Sequence, residues 1–599
     1  MSEKLLAEFS KPTYEDWLEL VEKQLKGVPF EKKLVSHPFE GVTIKPLYLK
    51  SDVDGLSGHS NPAGQFPFIR GTQASGQTVD GWEITQHFRY PTISQFNEAA
   101  ILDVKGGLSR LSIVLDSAGK SGLDPVATTS GIGRDGVSIF SGVEIAGLLN
   151  GIDLENLSIQ VEAGTAAVPF LSLLLAHLQK GGIPFDKLKG TVIFDPLSQL
   201  AVSGQLNRNT DAIIREMASL TNWSKNSAPS LKVLGVDLRP YHESGANTVQ
   251  ELSFALATGA EYIRSLGELG CDIDQIATNL EFIFSIGSDY FTEISKFRAM
   301  RSLWAQVIEA FGGQAPSQKV SLQGHSSRRT KSKNDYHVNI LRTTTEAFSA
   351  VIGGCDIISI APFDDTLGLP DAFSRRVARN IQIVIREECH GHKTIDPAGG
   401  AWFVENLTDQ LAKKAWELFQ KIEAAGGMRQ SLNDGFIQNQ IASSSKDIEQ
   451  AVANRRRVIV GTNLYADLEE GKPESQQADL ASISQQRFND FETFKQSRQK
   501  TPNFNMLNKA LSASVEGSSS IIEAVIEAAE NGATLGEISA TLASGSPAEL
   551  AIQPLTSRRD SEAYESLRDK ADAYKDSMGN YPEVFLANMG PVSQHGARV

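Results

Sequence analysis

The middle of the chain alternates between short runs of β-branched residues and longer segments with apolar residues at spacings of three and four. That spacing is typical of amphipathic helices, and parallel strands need crossover connections of this kind. The eight predicted strands are Leu111–Asp116, Val137–Phe140, Leu157–Glu162, Thr191–Asp195, Val233–Leu238, Glu281–Ile286, Val320–Gln323 and Asp356–Ala361. The alternation therefore predicts an α/β fold with a parallel sheet.

Eight strand–helix units favour a closed (β/α)8 TIM barrel. They occupy roughly residues 108–390, and about 250 residues are typical of such a barrel. The stretch from Ser117 to Asp135 departs from the pattern, because glycine, proline and serine replace the expected first helix. A doubly wound sheet therefore remains the structural alternative.

Four segments are expected along the chain. Residues 1–60 form an N-terminal arm that contacts a partner, with a helix at Tyr14–Leu25 whose apolar face carries Trp17 and Val21. Residues 61–430 form the barrel, and residues 431–580 form a helical linker region. Residues 581–599 contain a predicted strand at Val584–Leu586 and read as the incomplete start of a further α/β domain.

Composition excludes several classes of function. The chain has 57 Lys and Arg residues and 72 Asp and Glu residues, so its net charge is −15. This negative charge argues against binding to nucleic acid or anionic membranes. Three cysteines in 599 residues make no disulfide framework. With no signal-peptide pattern and no apolar run of the roughly 20 residues that span a bilayer, a cytoplasmic protein is expected.

Two motifs match known binding patterns in sequence, but their position or spacing does not fit the corresponding site. Gly131–Gly136 reads GxGxxG, but it precedes a predicted strand, whereas a dinucleotide loop follows a strand and opens a helix. Glu388–His392 packs four metal-ligand types into five residues, yet structural zinc uses separated ligand pairs. A solvated loop is favoured there, and no metal site is expected.

Two loops at carboxyl ends of predicted strands carry candidate functional groups, because a barrel's active site lies at that end. Tyr241 and His242 could supply general acid or hydrogen-bond chemistry, or form a structural rim. The loop after His325 carries cations that could bind the phosphates of an acidic ligand, although a solvated loop or ion pairs with a partner are somewhat favoured. These cations are Arg328, Arg329, Lys331 and Lys333.

The sequence resembles the methylmalonyl-CoA mutase family. The most specific stretches are GLPDAFSRRVARNIQIVIREE (368–388), IDPAGGAWFVENLTDQLAKKAW (395–416) and EAAGGM (423–428), supported by FPFIRGT (66–72) and PYHESGAN (240–247). The resemblance implies a TIM barrel with coenzyme A along its axis, a helical linker and a flavodoxin-like cobalamin domain. It also implies radical isomerisation of methylmalonyl-CoA to succinyl-CoA, and makes the four loop cations candidates for the coenzyme A phosphates.

The catalytic pattern of that family is altered in this chain. Gln77 stands in place of a catalytic tyrosine, and Asp80 in place of an arginine that reads the substrate carboxylate region. Ile193 replaces the first residue of a Gln-Asn-Asp triplet, and Ser327 replaces a glutamine. Tyr241–His242 persists. The resemblance therefore implies no catalytic residue here, with Tyr241 and His242 as relics.

The Asp-x-His-x-x-Gly motif that binds cobalamin in the family is absent. Only His337 has an aspartate two residues earlier, Asp335, and Ile340 then occupies the glycine position. Together with the altered catalytic residues, this matches the small (β), non-catalytic subunit of heterodimeric bacterial mutases. Adenosylcobalamin would then be bound by the large catalytic subunit, the expected partner, and no cofactor by this chain.

Two alternatives remain from the sequence. One is a catalytic acyl-CoA mutase subunit of the isobutyryl-CoA type that uses a separate cobalamin-binding chain. The weaker one is an acyl-CoA binding module without turnover. The substitutions Gln77 and Asp80 favour the non-catalytic small subunit over the first alternative.

Overall fold

The computed structural model describes residues 12–56, 58, 60–467, 470–471, 474, 476–498, 502–512 and 520–583. Its single parallel sheet has nine strands in the order β5-β4-β3-β2-β1-β9-β8-β7-β6. The strands are β1 (Glu83–Gln86), β2 (Arg110–Val114), β3 (Ser158–Glu162), β4 (Gly190–Val192), β5 (Leu231–Lys232), β6 (Leu234–Asp237), β7 (Leu280–Ile286), β8 (Ser321–Ser326) and β9 (Ile357–Ser359).

The two ends of this sheet are one stretch of chain, which nearly closes it into a barrel. Strands β5 and β6 are separated only by Val233. The first part pairs with β4 and the second with β7, both in parallel. The predicted TIM-barrel-like fold is confirmed, and the doubly wound alternative is wrong.

Helices surround the strands and continue after them. They are α1 (Tyr14–Leu25), α2 (Phe30–Leu34), α3 (Ile93–Lys105), α4 (Ser117–Lys120), α5 (Gly142–Leu148), α6 (Ala167–Lys180), α7 (Pro196–Ser203), α8 (Thr210–Ser227), α9 (Arg239–Glu243), α10 (Thr248–Glu268), α11 (Ile273–Asn279), α12 (Tyr290–Ala310), α13 (Asn339–Gly353), α14 (Ala372–Glu387), α15 (Trp402–Ala424), α16 (Gly427–Asn433), α17 (Phe436–Ala453), α18 (Leu480–Ser497), α19 (Asn505–Ser512), α20 (Ser520–Glu530), α21 (Leu535–Leu542) and α22 (Glu562–Met578). Short 3-10 helices lie at Lys50–Val53, Gly164–Ala166, Phe185–Lys187 and Tyr336–Val338.

The barrel begins one unit earlier than the sequence predicted. Its first strand, β1, was missed, and the predicted strand Val137–Phe140 forms only a single parallel bridge between Val137 and Leu115. Strand β2 pairs with β1 along one edge and with β3 along the other. Because no free edge remains beside β2, the apolar Val137–Phe140 segment is buried as a loop instead.

Alternate strand residues face the helices and the barrel axis, as expected for a closed sheet. On β2, Leu111 and Ile113 belong to the apolar core under the helices. Arg110 and Ser112 therefore face the axis, and they are buried as well. The axis of this barrel is lined by many polar side chains, and these determine what it can hold.

The segments on either side of the barrel differ in how they pack. Helix α1 has no buried residue and lies against α2, where the rings of Trp17 and Phe30 are 6.0 Å apart. Helix α20 packs on α6 and α8 of the barrel. No helix among the described residues is long and apolar enough to cross a membrane. Of the predicted C-terminal segment 581–599, residues 584–599, including the predicted strand, lie outside the described residues.

Candidate functional site

The N-terminal end of the barrel axis is closed by a buried ion pair. Arg110 on β2 donates to Glu281 on β7 over 2.8 Å and to Glu83 on β1 over 2.9 Å. The hydroxyl of Thr191 on β4 donates to the second oxygen of Glu281 at 2.8 Å, and Ser158 on β3 donates to Glu83 at 2.5 Å. Side chains from five strands thus meet across the axis, and we call this group the axial floor.

The opposite, C-terminal end of the strands opens into a cavity of about 490 Å³, here called the mouth cavity. Glu162 at the end of β3 accepts from Arg239 Nη2 at 2.9 Å and contacts His87 Nε2 at 3.2 Å. Arg239 also pairs with Asp237 at 2.7 Å. The ring of His325, at the end of β8, packs edge to face against that of His87.

The charged groups of the mouth cavity largely satisfy one another. Burial would raise the pKa of Glu162, but Arg239 and His87 together hold that pKa well below its usual range. Burial and the nearby Arg239 hold the pKa of His325 well below its usual value. His325 is therefore neutral at physiological pH, and the Glu162 carboxylate is fully engaged in the site.

His242 is buried beside the barrel, and both of its ring nitrogens have partners. Its Nδ1 lies 2.7 Å from Glu251, which also pairs with Lys296 at 3.1 Å. Its Nε2 lies 2.9 Å from the hydroxyl of Ser327. Burial and then Arg329 lower the pKa of His242 to about 3. The imidazole is thus neutral, with Nδ1–H donating to the carboxylate and the serine hydroxyl donating to Nε2.

The His242 side chain faces a different cavity from the mouth. It lines a space of about 640 Å³ together with Glu251, Phe291 and Arg329, whereas it does not line the mouth cavity. Tyr241 lies in the apolar core, with its hydroxyl unpartnered among the described residues and its ring 5.5 Å from that of Phe254. Neither Tyr241 nor His242, the two residues retained from the family's catalytic pattern, faces the barrel axis.

The four substituted positions are not brought together at one site. Ile193 follows β4 and lines the mouth cavity, and Ser327 is held by His242. Gln77 and Asp80 line a third cavity of about 520 Å³ at the N-terminal ends of the strands, and Gln77 donates there to the carbonyl of Cys355. The axial floor lies between these two groups of positions.

The basic loop after β8 is largely paired within the chain. Arg329 is buried and pairs with Asp560 at 3.2 Å, and Lys331 is buried and pairs with Glu346 at 2.5 Å. The half-exposed side chain of Arg328 pairs with Asp365 at 3.1 Å. Lys333 is exposed, and its backbone N–H donates to Glu565. Binding of coenzyme A phosphates by these four cations stays a prediction.

The sequence reading missed His87, Glu162, Arg239 and the residues of the axial floor. Their signal was present as alternation within the strands, since Ser158, Gln160 and Glu162 are separated by apolar Ile159 and Val161. In a closed barrel such polar positions face the axis. They were not predicted because a polar residue inside a strand does not by itself indicate a site, and His87 and Arg239 lie just after their strands.

Comparisons with known proteins agree with this architecture. A family model described as methylmalonyl-CoA mutase matches residues 37–547. The chain is 33% identical over 602 residues to a methylmalonyl-CoA mutase small subunit of Streptomyces virginiae, covering 99% of this chain and 82% of the relative. It is 30% identical over 581 residues to a methylmalonyl-CoA mutase of Escherichia coli (strain K12), covering 96% and 81%. The chain therefore belongs to the methylmalonyl-CoA mutase family.

Proposed function

We propose that this chain is the non-catalytic small subunit of an adenosylcobalamin-dependent methylmalonyl-CoA mutase. In this role it pairs in the cytoplasm with a large catalytic subunit, which binds the cofactor and the acyl-CoA substrate and isomerises methylmalonyl-CoA to succinyl-CoA. The small subunit stabilises its partner and does no chemistry of its own.

The axial floor is the observation that carries this proposal. The resemblance to the family implies coenzyme A along the barrel axis, and such a ligand would have to pass the ion pair of Arg110 with Glu281. Opening that pair leaves the buried Glu281 carboxylate without its cation, which costs several kcal/mol. An acyl-CoA ligand cannot be threaded through this axis while the floor is intact.

The position of His242 supports the same conclusion. A hydrogen-bond donor assists catalysis only when it lies about 2.7–3.1 Å from the oxygen it stabilises. Both nitrogens of His242 are engaged by Glu251 and Ser327, away from the mouth cavity. The imidazole therefore has no free N–H to offer to a thioester carbonyl in the axis.

The described residues do not fit adenosylcobalamin. The mouth cavity, about 490 Å³, is of the size that suits small ligands, and the corrin ring with its side groups is larger. His337, the one histidine with an aspartate two residues earlier, lies in a short 3-10 helix with its ring tilted against those of Tyr336 and Phe363. This favours a large subunit as the cofactor-binding chain.

Helix α1 is the proposed contact with that partner. Among the described residues its apolar side chains are only partly covered, since no α1 residue is buried and Leu20 is 62% exposed. Exposed apolar faces of this kind mark interaction surfaces. The partner would bury α1 together with α2.

The proposal is tested by assaying this chain with and without a large methylmalonyl-CoA mutase subunit from the same source. We expect no succinyl-CoA from the isolated chain with adenosylcobalamin and methylmalonyl-CoA, and a stable, active heterodimer on mixing. Coenzyme A titration of the isolated chain by calorimetry should give no binding heat. Turnover by the isolated chain would support the catalytic alternative instead, and tight acyl-CoA binding without turnover would support the binding module.

A further inference from the structure

Helix α22, which follows the barrel, exposes a continuous apolar face. Only one of its 17 residues, Glu565, is buried. The apolar side chains on the exposed side are Leu567, Ala571, Tyr574 and Met578. Their spacing of four, three and four residues places them on one face of the helix. Leu567 is 60% exposed and Met578 62%, so this face, here called the α22 stripe, is largely open in the described part of the chain.

The acidic side of α22 faces the rest of the chain. Glu565 pairs with Arg559 at 2.6 Å, and its carboxylate accepts from the backbone N–H of Lys333 at 2.8 Å. Asp569 and Asp572 line a cavity of about 210 Å³ together with Lys333. These contacts fix the rotation of the helix about its own axis. The α22 stripe, on the opposite side, therefore points away from the basic loop after β8.

Two lysines flank the α22 stripe. If the stripe occupies the a and d positions of a heptad, Lys570 occupies a g position and Lys575 an e position, one on each border. Both side chains are exposed, and Lys570 has no ion pair among the described residues. Residues at e and g select a partner helix by its charge. Acidic residues beside the apolar stripe of a partner helix would be complementary to this face.

Charge argues against three other occupants of the stripe. A second copy of α22, parallel or antiparallel, would place flanking cations against flanking cations, which is unfavourable. Residues 584–599 of this chain contain no Asp or Glu, so they offer nothing to the lysines. An anionic membrane would be repelled by the net charge of −15.

We infer that the α22 stripe docks an amphipathic helix of another protein, whose apolar stripe is flanked by Asp or Glu. Lys570 and Lys575 pair with the acidic flanks of that helix. The small Ala571, between Leu567 and Tyr574, leaves a hole that accepts one large apolar side chain. This surface goes beyond the proposed function, because it lies on a different element from α1 and is defined by its own chemistry.

The probe is a synthetic, fluorescently labelled helix of three heptads, with leucine at a and d and glutamate at e and g. A matched peptide carries lysine at e and g, and fluorescence anisotropy measures binding of each to the full chain. The net charge of −15 favours the lysine peptide at long range, so a preference for glutamate must arise at the contact itself. We expect saturable binding of the glutamate peptide, at least tenfold tighter than that of the lysine peptide and weakened by salt. Absence of saturable binding, or equal affinity for both peptides, would overturn the inference.

Two variants tie the binding to α22. Leu567→Ser and Lys570→Glu change exposed side chains, so both should fold as the parent by circular dichroism and weaken binding of the glutamate peptide at least tenfold. The matched controls make the same changes at exposed positions on α3 and α8, Leu102→Ser and Lys225→Glu. Both controls should stay within twofold of the parent. Unchanged affinity in the folded α22 variants contradicts the assignment.

Three further measurements separate the other occupants. Sedimentation velocity should give the same oligomeric state for the parent and for Leu567→Ser. Vesicles that contain phosphatidylserine should not bind the chain, and deletion of residues 584–599 should change the peptide affinity less than twofold. A dimer lost in Leu567→Ser, vesicle binding lost in that variant, or tenfold tighter peptide binding by the truncated chain would each overturn the inference.

Discussion

Arg110 on β2 and Glu281 on β7 lie on opposite sides of the barrel ring and meet at its axis, 2.8 Å apart. Both side chains are almost fully buried. Burial would lower the pKa of Arg110, but Glu281 and Glu83 raise it above its ordinary value. The contact therefore joins the two halves of the barrel and closes its N-terminal end with a charged pair.

Breaking this pair on one side should be costly. Arg110→Met leaves Glu281 buried without its cation, so the free energy of unfolding should fall by about 3–5 kcal/mol. Replacing both partners, Arg110→Met with Glu281→Met, should recover most of that loss, because an apolar pair of similar volume is often neutral. Urea denaturation followed by circular dichroism measures both values. A single variant as stable as the double one would show that the pair is not a coupled unit.

His242 is expected to be structural. His242→Ala should leave the activity of the reconstituted heterodimer within about twofold, while removing hydrogen bonds to Glu251 and Ser327 should cost roughly 1–2 kcal/mol of stability. Steady-state assays and urea denaturation separate the two effects, with Ser327→Ala as the companion variant. A loss of activity of about a hundredfold in an intact heterodimer would mean that this barrel takes part in the chemistry.

The depressed pKa of His242 predicts acid sensitivity. Its pKa falls from 6.5 to about 3 on folding, because of burial and then Arg329. Below pH 6.5 the His242 imidazole therefore binds a proton in the unfolded chain, whereas in the folded chain it stays neutral until the pH approaches 3. The associated stability is present above pH 6.5 and is lost as the pH falls towards 3, by about 1.4 kcal/mol per pH unit. Unfolding free energies measured across this range should fall less steeply in His242→Gln; identical slopes would refute the shift.

The raised pKa of Asp124, which lies where α21 joins the barrel, predicts that stability falls as the pH rises, the opposite of the His242 effect. Its carboxylate accepts from Thr534 Oγ1 at 2.5 Å and from the Gly536 N–H at 2.8 Å, and burial raises its pKa from 3.8 to about 6. The folded state thus holds its proton more tightly than the unfolded state. Stability is fully present below pH 3.8 and is lost as the pH rises through 6, about 3 kcal/mol in total.

Hydrogen exchange of the amides in α21 provides the measurement for Asp124. Protection of Leu535–Leu542 should decrease between pH 4 and pH 7 after correction for intrinsic exchange, and Asp124→Asn should show a flat profile. Arg498→Gln, which removes the nearby contact to Glu537, is a control that leaves the Asp124 carboxyl in place. A flat profile in the parent chain would exclude the raised pKa.

The arm should be needed for assembly but not for folding. Deleting residues 1–30 removes α1, in which no residue is buried, so circular dichroism should show that the barrel remains folded. We expect the heterodimer to be lost or strongly weakened in size-exclusion chromatography. Leu20→Glu, which places a charge on the exposed face, should weaken assembly in the same direction. Unchanged heterodimer formation by the truncated chain would exclude α1 as an interface.

The fold could largely be predicted from the sequence because hydrophobic periodicity is a local signal. Helix α1 has its predicted bounds, Tyr14–Leu25, and strand β7, predicted at Glu281–Ile286, begins one residue earlier at Leu280. Strand β1 was missed since Glu83–Gln86 is only four residues long and Ile84 is its single apolar residue. Val137–Phe140 was assigned wrongly because its composition favours a strand, while the place beside β2 is taken by other strands.

The sequence by itself determined the family, the alternating strands and helices, and the altered residues Gln77, Asp80, Ile193 and Ser327. Only the tertiary structure decided that Gln77 and Asp80 face one end of the barrel while Ser327 is bound to His242 near the other. It alone brought Arg110 to Glu281, which are 171 residues apart in the chain. The physical reason is that barrel closure and strand stagger set which inward side chains meet, and no local pattern encodes that geometry.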